Sequence, residues 1–176
     1  MATEIEKKYV IKDLSAIEEL PILEKKIITQ NYIAVQDMFE CRIRHTHIIE
    51  NNTKEERENF ASFYEKELYE MTFKTGKGTV RQELTEELPQ EQYNRIDEFL
   101  PYLPIVKIRT VYDFSKYGTK EIEVDEFKIP HGVCFAEIEF PNKKTLKEFN
   151  PPDFLGNELT IRNQFFWHEV NNFRVG

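Results

Sequence analysis

The chain has 176 residues, with 32 Asp and Glu against 24 Lys and Arg and a formal net charge of −8, so bulk attraction to nucleic acid or to an anionic membrane does not organise it. That length suits one domain over 1–176 with a sizeable core, and no apolar run is long enough for a bilayer-spanning helix. Charges stand where a signal peptide would be apolar, which points to the cytoplasm, where Cys41 and Cys134, lacking metal-ligand spacing, stay thiols in packing roles.

Taken in chain order, residues 2–11 read as a strand, with Glu4, Glu6 and Lys8 on one face and Ile5, Tyr9 and Ile11 on the other. Asp13 is a candidate N-cap for a short helix through Leu14, Ile17, Leu20 and Leu23, shortened or kinked by Pro21. Strands are expected at 26–36 and 38–49, with a tight turn at Gln36-Asp37, followed by a polar, highly charged loop over 50–63. Strands at 66–75 and 79–88 meet across Gly76-Lys77-Gly78, a hairpin turn and not a phosphate loop, because no helix follows it. Tyr93, Ile96, Phe99, Leu100 and Leu103 mark an amphipathic helix over 89–103. Strands at 105–114, 119–129 and 133–140 follow, then a short helix near 143–149, a Pro-Pro loop at 151–152 and a C-terminal helix near 162–171.

The charged alternation recurs as Arg42-Ile43-Arg44, Arg81-Gln82-Glu83, Lys107-Ile108-Arg109, Glu121-Ile122-Glu123-Val124-Asp125 and Glu137-Ile138-Glu139. Eight mostly antiparallel strands with one consistently ionised face are best arranged as a closed or nearly closed barrel. Its charges line the lumen, and its apolar alternates turn outward under amphipathic helices, an α+β fold. The lumen then collects Lys8, Arg42, Arg44, Lys74, Arg81, Lys107 and Arg109. The acids on the same faces are Glu4, Glu6, Glu83, Glu87, Glu121, Glu123, Asp125, Glu137 and Glu139. A salt-bridged surface sheet accounts for any single pair, but Glu-x-Glu and Arg-x-Arg gather like charges on one face, where a stabilised surface would mix them. Paired carboxylates suit Mg²⁺ or Mn²⁺, and clustered Arg and Lys suit phosphate oxygens, so one cavity holding both points to phosphate chemistry. His45 and His47 fall on the outer face, while His131 in a turn and His168 beside Trp167 are not first-choice catalysts.

Glu4-Ile5-Glu6-Lys7-Lys8 resembles the N-terminal Glu-x-Glu-x-Lys signature of the CYTH superfamily, the triphosphate tunnel metalloenzymes. The order of Arg42-x-Arg44, Thr72-Phe73-Lys74, Arg81-x-Glu83, Lys107-x-Arg109, Glu123-Val124-Asp125 and Ala136-Glu137-Ile138-Glu139 is similar too, and Gly156-Asn157-Glu158-Leu159-Thr160 resembles the closing segment. The resemblance implies an eight-stranded antiparallel tunnel that takes a triphosphate-bearing small molecule with one or two divalent cations. By that analogy Glu4, Glu6, Glu137 and Glu139, with Asp125, hold metal, and Lys8, Arg42, Arg44, Lys74, Arg81, Lys107 and Arg109 grip phosphate. Glu6, Glu83 and Lys8 form the expected catalytic set. Thr85 departs from the Glu-x-Glu-x-Glu run common in the fifth strand.

The expected activity is metal-dependent hydrolysis of a triphosphate, inorganic triphosphate before thiamine triphosphate or a nucleoside triphosphate, since no base-recognition element is evident. A class IV adenylyl cyclase using the same tunnel and a non-catalytic polyphosphate-binding module are the alternatives. Neither nucleic acid nor membrane is an expected partner, and the chain is read as a monomer or homodimer.

Overall fold

A computed structural model describes residues 2–36, 38–51, 66–101, 103–129 and 131–159. The expected polar loop over 50–63 lies largely outside these residues, as does the C-terminal helix with Trp167 and His168. In order come β1 (Ala2–Ile11), α1 (Leu14–Glu18), β2 (Ile22–Gln36), β3 (Phe39–Asn51), β4 (Lys66–Thr75), β5 (Val80–Glu87) and α2 (Gln90–Phe99). Then follow β6 (Ile105–Asp113), β7 (Glu121–Ile129), β8 (Val133–Glu139), α3 (Lys143–Glu148) and β9 (Leu155–Glu158). The strand order β5-β4-β3-β2-β6-β7-β8-β1 closes on itself through a β1–β5 pairing, giving the eight-stranded antiparallel barrel read from the sequence.

A ninth strand, β9, was not expected. The first residues of β1 pair with β5 (Glu4 opposite Arg81), and its last residues pair with β9 (Ile11 opposite Leu155), so two strands share one edge of β1 in succession. Four residues with a glycine and an asparagine carry little strand signal, and the pairing exists only because the open end of β1 offers unpaired backbone groups. β2 begins at Ile22, earlier than the sequence pattern suggested, because Pro21 stops α1 and the chain runs directly into pairing with β6 at Tyr112. The helix expected over 89–103 ends at Phe99, where Leu100 turns extended (ψ 129°) before Pro101.

The turns follow their chemistry. Gly76 and Gly78 adopt positive φ (115° and 82°) in the β4–β5 hairpin, conformations that side chains with a Cβ disfavour. Asp13 caps α1 by accepting from the Ser15 and Ala16 N–H groups at 3.1 and 3.4 Å. Asn142 does the same for α3, accepting from the Lys144 and Thr145 N–H groups, both at 2.9 Å.

The main hydrophobic core lies outside the barrel. Ile5 and Tyr9 of β1, Ile122 and Val124 of β7, and Ala136 and Ile138 of β8 point outward and are buried beneath Ile17 of α1, Leu146 of α3, Phe149 and Phe154. Ile5 and Tyr9 of β1 thus build the core, while Glu4, Glu6 and Lys8 face the lumen. On the other side, α2 lays Tyr93 against Tyr69, with ring centroids 5.2 Å apart, and Tyr69 stacks on His45 at 4.5 Å, which puts His45 on the outer face. None of the described helices is long and apolar enough to cross a membrane.

Candidate active site

The inward faces of all eight barrel strands line a cavity of about 180 Å³. It receives Glu4, Glu6 and Lys8 from β1, Gln30 and Tyr32 from β2, Glu40, Arg42 and Arg44 from β3, and Lys74 from β4. Arg81 and Glu83 come from β5, Lys107 and Arg109 from β6, Glu123 from β7, and Glu137 and Glu139 from β8. Nearly every site residue read from the sequence is therefore brought to one place. Glu87 and Glu121 share the inward faces but do not line the cavity, and Glu121 pairs with the exposed Lys120 at 2.8 Å.

Most of these charges neutralise one another. Lys8 hydrogen-bonds Glu137, Lys74 bridges Glu4 (2.6 Å) and Glu83 (2.8 Å), and Arg81 donates to Glu6 at 2.5 Å. Asp125, on the same inward face of β7 as Glu123, is fully buried beneath the basic residues, accepting from Lys107 Nζ (2.5 Å), Arg109 Nε (2.7 Å) and Arg109 Nη2 (2.7 Å). Arg109 also reaches Glu123 and, at 2.8 Å, Glu137. Arg42 is held by Glu40 at 3.1 Å. Sequence reasoning passed over Glu40, although its spacing of two before Arg42 carried the signal.

Two groups stand apart. Among the described residues, Arg44 is the one lumen cation with no carboxylate within ion-pair distance. Its contacts are a 3.4 Å bond to Gln30 Oε1 and a buried Nε without a hydrogen bond. Burial, with Arg42 and Arg109 beside it, pushes its pKa down to about 10. Glu139 is its counterpart, a carboxylate with no ion pair among the described residues. Burial and the neighbouring Glu123, Glu6 and Glu83 raise its pKa. β3 and β8 are separated by three strands in either direction round the barrel, so Arg44 and Glu139 belong to opposite walls.

The carboxylate wall suits a divalent cation. In β1–β8 pairing Glu6 is directly opposite Glu139, and Glu4 precedes Glu6 on the same face. Glu4 Oε2 is buried without a hydrogen bond, 3.4 Å from Arg81 Nη2, and burial together with Glu6 raises the Glu4 pKa to about 7. Burial works against ionisation of Glu6, but Lys8, Lys74 and Arg81 draw its pKa down to about 2. Crowded carboxylate oxygens, one of them unsatisfied, are the hard donors that Mg²⁺ and Mn²⁺ prefer. Among the described residues no three such groups are yet drawn to a common point, so a cation would have to gather them.

A closed barrel whose lumen is lined by paired acids and bases, with its hydrophobic core outside, is a tunnel fold. The chain belongs to the CYTH domain family, whose model matches residues 2–150. Among solved structures, the inorganic triphosphatase NE1496 is 19% identical, with a TM-score of 0.58 and coverage of 100% of this chain and 99% of that one. The PH1819 protein from Pyrococcus horikoshii is 22% identical (TM-score 0.56), with 82% of each chain covered. A conserved hypothetical protein from Pyrococcus furiosus is 21% identical (TM-score 0.54), also over 82% of each chain. At these identities the likeness is one of fold. No curated protein matches the chain.

Proposed function

We propose that the protein is a divalent-metal-dependent hydrolase of a triphosphate, with inorganic triphosphate the preferred substrate. The observation that carries this reading is a pair of groups on opposite walls that have no ion pair among the described residues: Arg44, a half-buried cation, and Glu139, a carboxylate at the exposed rim. A polyanion with a bound cation satisfies both at once. Membership of the CYTH family and the likeness to a structure named an inorganic triphosphatase agree with it.

In this reading Glu4, Glu6 and Glu139, with Glu137, hold the cation, and Arg44, Arg42, Arg109, Lys8, Lys74, Arg81 and Lys107 bind phosphate oxygens. A bound Mg²⁺ or Mn²⁺ would polarise a phosphoryl oxygen and offset the charge that develops on it. Asp125, buried beneath them on the inward face of β7, holds Lys107 and Arg109, so these cations would meet the substrate already oriented. Glu6, kept ionised by its basic neighbours, and Glu83, open at the rim, are the carboxylates proposed to accept a hydrogen bond from an attacking water. Attack of that water on the terminal phosphorus then breaks its bridging P–O bond, giving phosphate and pyrophosphate as the leaving group without a covalent enzyme intermediate.

The cavity of about 180 Å³ falls below the several hundred Å³ usual for organic ligands, which favours an inorganic substrate. The organic part of any larger triphosphate would lie outside, in a groove of about 560 Å³ that shares Glu123 and Glu139 with the cavity. The test is a panel of inorganic triphosphate, thiamine triphosphate, ATP and pyrophosphate with Mg²⁺ and with Mn²⁺, reading phosphate and cyclic AMP. Phosphate released fastest from inorganic triphosphate, and lost in a folded Glu6→Gln variant, is the expected result. Cyclic AMP as the main product of ATP, or binding without turnover throughout, overturns the assignment.

A further inference from the structure

The inward faces that carry the phosphate-binding cations continue, two residues on, into apolar side chains. Tyr32 follows Gln30, Ile105 precedes Lys107, Phe127 follows Asp125 and Phe135 precedes Glu137. These four residues are between 4% and 8% exposed and form one cluster, with the Phe127 and Phe135 ring centroids 5.1 Å apart. Leu159 packs against it, secured where its N–H donates to the Lys8 carbonyl at 2.7 Å. The opposite end of the cavity is more open, with the side chains of Glu83 and Glu123 27% and 30% exposed. Lys8 Nζ lies 5.5 Å from the centre of the Phe135 ring, and Lys107 Nζ lies 5.5 Å from that of Phe127. The last lysines therefore stand directly on an apolar floor.

We infer that this floor makes Phe127, Phe135 and Ile105 specificity-determining residues that require a free phosphoryl end on the substrate. The inference rests on the triphosphate reading above. A phosphate chain enters from the carboxylate rim and advances until its leading oxygens meet Lys8 and Lys107. Beyond them it finds ring faces, whose quadrupole is negative, and methyl groups, neither of which can replace the water lost by an anionic oxygen. The packed side chains close this end among the described residues, so the chain would not thread through. Only an uncapped terminus fits, and a substituent is tolerated at the trailing end alone.

The test compares inorganic triphosphate, its monomethyl ester and its α,γ-dimethyl ester, each with Mg²⁺, for binding to the full chain by calorimetry. The single ester should bind within about threefold of triphosphate, and the double ester at least thirtyfold more weakly. Part of that gap reflects charge removed by the second methyl, so the floor itself is read from Phe135→Ala, or from Ile105→Ala where that variant does not fold. Either truncation should narrow the gap at least tenfold by making room for the methyl, which a charge effect alone would not do. Equal binding of both esters to the natural protein, or an unchanged gap in the folded variants, overturns the floor and leaves the hydrolase reading standing. Absence of triphosphate binding overturns both.

Discussion

Arg44 is a half-buried guanidinium with no carboxylate in ion-pair contact among the described residues; Glu123 and Glu137 offset its desolvation only in part, so it weakens the ligand-free fold and strengthens the complex. These opposite effects make a distinctive prediction. Arg44→Gln should raise KM for inorganic triphosphate at least tenfold. The same change should raise the melting temperature of the ligand-free protein, by roughly 2–4 °C for each kcal/mol of desolvation relieved. Steady-state kinetics and thermal denaturation of one preparation check both, and a variant that melts lower would show that Arg44 has a stabilising partner. Arg109 is the contrasting case. It is engaged by Glu123, Asp125 and Glu137, and truncating it would leave several carboxylates uncompensated and confound loss of binding with loss of fold. The sequence distinguishes these two arginines poorly, since both sit in a basic-x-basic pair on an inward face. What separates them is pairing across the barrel, between residues far apart in the chain.

At the scale of elements, strand positions and inward faces were legible because a strand's side-chain period is fixed at two, so a charge pattern on the page is a face in space. Closure through β1 and β5 was legible in kind, since ionised faces on every strand leave a barrel as the consistent arrangement. Individual pairings were not, because bonds such as Lys74 to Glu4 join residues 70 apart in sequence and depend on how the strands are staggered. The floor was also missed. Phe127 and Phe135 share inward faces with Asp125 and Glu137, but a search for charges ends where the charges do. β9 escaped notice because its formation depends on the edge it meets. Gly156 is central to that contact, since a Cβ there would come within 3.2 Å of the Val10 carbonyl oxygen and 3.3 Å of Val10 Cβ. Gly156→Val should therefore cost about 1–3 kcal/mol in thermal or urea unfolding, by forcing β9 away from β1. An unaltered midpoint would mean that β9 adds little to stability.

Across the whole molecule, the strands of one wall carry two separate tasks on their two faces, with the packed core outside and the chemistry inside. Most proteins place a site at the rim of their core, where a change that alters chemistry also loosens packing. Here the strand backbone is the partition. An alanine scan along β1 should thus give two sawtooth profiles of period two, out of step with each other. Stability should fall most at Ile5 and Tyr9, by about 2–5 kcal/mol each, and turnover should fall most at Glu4, Glu6 and Lys8. Coincident profiles would mean that the two faces are energetically coupled. If they are out of step, the lumen is free to diverge: a lineage could exchange its inward residues, and with them the anion it accepts, while the outward residues keep the barrel folded.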